Sequence, residues 1–93
     1  MTRIKDLKKE INYFTMELIS ECYTYMHFHP EESDEKVNSV VADLVNLRNE
    51  LIARVNNPEE IDNHKSLKAH YKKILKDLYE KGVSLMDKLG DYE

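Results

Sequence analysis

The chain has 93 residues, 41% of them hydrophobic and 34% charged, with a formal net charge of −4. That length fits one domain around a single modest core, and that composition belongs to a folded, soluble chain rather than a disordered one. No run approaches the ~20 apolar residues of a membrane span, and the negative charge weighs against bulk nucleic-acid binding.

Two glycines and two prolines leave few places to turn, so the elements must be long. The hydrophobic spacing predicts an all-α fold: an antiparallel, up-down-up three-helix bundle with long helices and short loops, forming one domain over residues 1–93. Helix 1 is expected at about 2–29, helix 2 at about 34–56 and helix 3 at about 58–89. Short connections force consecutive helices to lie antiparallel.

Helix 1 begins with Thr2 as its cap and stops before Pro30, because the residue ahead of a proline avoids the helical region. Charged residues interrupt its apolar ones from the start, so it does not read as a signal peptide. It carries two apolar stripes. Ile4, Leu7, Ile11, Phe14, Leu18, Cys22 and Tyr25 form the first. Met16, Ile19, Tyr23 and Met26 form a second, turned by roughly a third of a revolution. A helix this apolar on two sides needs cover on both.

Helix 2 follows Ser33 or Asp34 as cap and has one stripe: Val37, Val40, Val41, Leu44, Leu47, Leu51, Ile52 and Val55. Asn57 and Pro58, with Glu60 three residues after the cap, are suited to start helix 3. Its apolar positions are Ile61, Leu67, Tyr71, Ile74, Leu75, Leu78, Leu85 and Leu89, with Gly82 on the same face, where a missing side chain lets a neighbouring helix come close. Asp62 to His64 interrupts the first turn, and Gly90 is suited to the C-terminal cap.

No catalytic, cofactor-binding or metal-binding site emerges. His27, His29, Cys22 and several acids gather near the end of helix 1, but histidines two apart diverge by about 200° on a helix. None of the four histidines has an acid three residues before it, so the Glu-x-x-His signature of di-iron bundles is absent. Cys22 lies in the main apolar stripe, where a thiol acts as a small buried hydrophobe with a raised pKa. As a lone cysteine it fits a reducing compartment, the cytoplasm. Two glycines cannot build a phosphate loop or a nucleophile elbow.

The expected role is therefore non-catalytic: protein–protein interaction, chiefly as a homodimer formed through Tyr13, Met16, Ile19, Tyr23 and Met26 of helix 1. The alternative is a nucleic-acid accessory role. Up-down-up topology gathers Lys5, Lys8, Lys9, Lys65, Lys68 and Lys72 at one end of the bundle, leaving that end net positive and the other net negative. The same lysines equally suit solvated helix faces, and no recognition-helix or zinc-finger pattern accompanies them.

Overall fold

The computed structural model describes residues 3–30, 34–57 and 64–90. They form α1 (Arg3–Phe28), α2 (Asp34–Asn56) and α3 (His64–Gly90), with no strand among the described residues. The body measures 52 × 20 × 18 Å.

Helix ends follow local chemistry. α1 stops two residues before Pro30, and the His29 N–H closes its last turn on the Met26 carbonyl at 3.3 Å. α2 opens on Asp34 and Glu35, whose charges suit the positive end of the helix dipole. At its far end, the backbone N–H and the side-chain amide of Asn57 both donate to the Ala53 carbonyl, each at 3.0 Å. Asn57 thus finishes α2. Its expected capping of helix 3, with Pro58 and Glu60, lies outside the described residues, as do the Thr2 and Ser33 caps and Ile61.

The core divides along the long axis into two clusters. The first joins Leu7 and Ile11 of α1, Leu47, Leu51 and Val55 of α2, and Ile74 and Leu78 of α3. The second joins Leu18 and Cys22 of α1, Val37, Val40 and Leu44 of α2, and Leu89 of α3. Early α1 meets late α2 and early α3, so the bundle runs up, down, up. Phe14 and Leu85 pack against both clusters and bridge them. The one buried polar side chain among the described residues, Thr15, donates its hydroxyl to the Ile11 carbonyl at 2.8 Å and so satisfies itself within α1.

The α2 stripe is buried as expected; Leu44, Leu47 and Leu51 are all in the core. Ile4 departs from expectation. It shares the phase of Leu7 but is 43% exposed, because it lies one turn further out, at the level where α2 ends. Gly82 faces α1 closely: a Cβ built there would stand 2.8 Å from Cε2 of Phe14 and 3.0 Å from Cδ1 of Leu18. A side chain at this position would push the two helices apart.

Candidate interaction face

Each side of α1 has a different neighbour, and cross-helix contacts identify which. On one flank, the Nε of Arg48 donates to the Asn12 side-chain oxygen, so that flank faces α2. On the other, the Tyr79 hydroxyl donates to Glu10 and its ring meets Phe14 edge-on at 4.9 Å, so that flank faces α3. At about 100° per residue, Met16, Ile19, Tyr23 and Met26 all fall on the α2 side.

These residues divide by depth. Ile19 and Met26 are half-buried and pack against the second core cluster. Met16 is 57% exposed, Tyr23 52% and Tyr13 63%. The second stripe of α1 is therefore covered within the chain only along its inner edge. Its outer edge is open, and Tyr13 extends it further round the helix. Val45 of α2 also stands exposed, at 39%. Sequence reasoning missed it because it falls outside the α2 stripe; an apolar residue off the stripe was the available signal.

The lysines do not form one patch. Lys68 and Lys72 of α3 line a groove shared with Asp6 and Glu10 of α1, above an apolar floor that includes Leu7 and Leu75. Lys5, Lys8 and Lys9 lie on the opposite flank of α1, with Lys8 half-buried. Two acids thus stand between the two groups of lysines. The side chain of Lys65 lies outside the described residues. The division into a basic and an acidic end is also less sharp than the sequence suggests. Arg54, near the end of α2 that meets early α1, pairs at 2.8 Å with Asp77 of α3 and so neutralises a positive charge at that end. That guanidinium holds the Asp77 carboxyl below the usual carboxylate range.

Cys22 is fully buried, with its thiol 3.8 Å from the sulfur of Met86. Burial, and secondarily the charge of Glu21, pushes its pKa up, so the thiol stays protonated. A protonated, inaccessible thiol is a poor nucleophile. Among the described residues, no three His, Cys, Asp or Glu side chains are grouped to hold a metal ion. No helix of the described residues is long and apolar enough to cross a membrane. Comparison with protein-family models, curated proteins and solved structures finds no match to this chain.

Proposed function

We propose that this chain is a small non-catalytic interaction protein that self-associates as a homodimer through the exposed edge of the second α1 stripe. The observation that carries the reading is the open apolar surface of Tyr13, Met16 and Tyr23, each more than half exposed. Aromatic and Met side chains are enriched in interfaces, and contiguous apolar surface is unusual on a monomer. Ile19 and Met26 continue the same surface inward, where they anchor it to the core. The buried protonated thiol of Cys22 suits a reducing compartment, and the cytoplasm is the proposed location.

The nucleic-acid alternative has less behind it, since Asp6 and Glu10 interrupt the lysines that would serve it. Light scattering at micromolar concentration tests the main reading. The parent chain is expected at twice its 11.0 kDa mass, and the Met16→Glu, Tyr23→Glu double variant at one copy. A monomeric parent overturns the proposal.

A further inference from the structure

Resting on that self-association, we infer that α1 and α2 build the docking face together and that the second copy lies antiparallel across it. The two-fold axis passes at the level of Met16 and Val45.

The face is set by the register of the two helices. The Arg48–Asn12 bond marks one level of the antiparallel pair. Four residues onward along α1 and back along α2 brings Met16 to the level of Leu44 and Val45. Met16 and Val45 are both exposed, and the register sets them at the same level on neighbouring helices. The α1 side of this face carries Asn12, Met16, Ile19 and Tyr23; the α2 side carries Asn38, Val41, Val45 and Asn49. None is charged, in a chain where 34% of residues are. Arg48, which reaches from α2 to α1, is held by the side-chain oxygens of Asn12 and Asn49. Depletion of charge at the centre with Tyr and Met present is the composition of an interface core.

The occupant follows from charge and area. A neutral centre meets its own copy without repulsion, whereas a surface for an acidic or basic partner would carry the opposite charge at its centre. One long side of a 52 × 20 Å body presents on the order of 1,000 Å², against the ~800 Å² that each partner of a stable dimer buries. Charge at the rim then sets direction. At about 1.5 Å per residue, Lys5 and Lys9 lie roughly 10–17 Å to one side of Met16, and Asp34 and Glu35 roughly 15–17 Å to the other. All four are exposed. An antiparallel pair centred at Met16 brings the lysines of each copy to the same end as the acids of the other; a parallel pair brings lysines to lysines and acids to acids.

The test measures mass by light scattering at low salt, with circular dichroism confirming that each variant remains helical. Val45→Lys is expected to give a monomer. Lys9→Glu and Glu35→Lys are each expected to raise the dimer dissociation constant at least tenfold, and their equimolar mixture to restore dimers, because each variant then meets the opposite charge on the other. If Met16→Glu with Tyr23→Glu dissociates the dimer but Val45→Lys does not, self-association through α1 stands and the shared face is overturned. A mixture that stays as weak as its components overturns the antiparallel arrangement. A monomeric parent overturns both this inference and the reading beneath it.

Discussion

The two halves of the core solve the same packing problem with different side chains. The first cluster is filled by Leu and Ile, with Val55 at its edge. In the second, Leu18, Leu44 and Leu89 are joined by Val37 and Val40 of α2 and Cys22 of α1, and Met26 and Met86 press in from the side. Leu and Ile are bulky and settle into few rotamers. Val and Cys are smaller, and Met adapts its three torsions to whatever gap is left. The second half thus leaves more of its fit to small and adaptable side chains than the first. The open apolar surface around Met16, Ile19 and Tyr23 adjoins the second half.

The largest test of this contrast is truncation. Leu51→Ala, at a fully buried position in the first cluster, is expected to cost about 2–5 kcal/mol in chemical denaturation. Val40→Ala in the second removes less side chain and leaves a smaller gap, so about 1–3 kcal/mol is expected. Equal costs would mean that the second half is packed as tightly as the first. Gly82→Ala probes the seam between them. A helix-favouring substitution that by itself gains about 1 kcal/mol must here displace Phe14 and Leu18, at an overpacking cost of about 1–3 kcal/mol. The expected result is a lowered Tm; a raised one would show that the Phe14 ring yields.

The smallest effect is confined to alkaline pH and is led by Cys22 of the second half. The folded state raises the Cys22 pKa, so the stability linked to this thiol is fully present below its unfolded value, about 9.0. It is lost as pH rises through the folded value. Tyr79, whose hydroxyl is held protonated chiefly by its bond to Glu10, contributes with the same sign at higher pH. Denaturation measured across this range is expected to lose stability more steeply in the parent than in Cys22→Ala. Identical slopes would remove the thiol from the account.

Much of this fold was legible because burial along α2 follows its stripe, with Val41 and Ile52 at the half-buried margin. Gly82 was legible for a similar reason: a glycine amid apolar helical spacing has few uses other than close approach. The misjudged Ile4 has the right phase but the wrong level, and phase alone does not tell where a neighbouring helix ends. The candidate face was half legible. Periodicity reveals that α1 has a second stripe, but not how deeply each member sinks. Ile19 and Met26 are half covered while Met16 and Tyr23 are open, because cover depends on which flank meets α2. Val45, and the acids standing between the two groups of lysines, depend on the same knowledge.

Three helices joined up, down and up can close with the third on either side of the first two. The two results are mirror-related arrangements of right-handed helices, and both turn the inward stripes toward the core. The flanks do not. In the arrangement adopted, the missing side chain of Gly82 receives Phe14 and Leu18, Arg54 reaches Asp77, and Tyr79 reaches Glu10. In the opposite hand, the flank of α3 that bears Gly82 would turn toward α2, Phe14 would meet a filled surface, and both polar pairs would be separated. Such devices against the competing topology are what give a bundle one chirality rather than two. In this chain, a residue with no side chain helps to decide it.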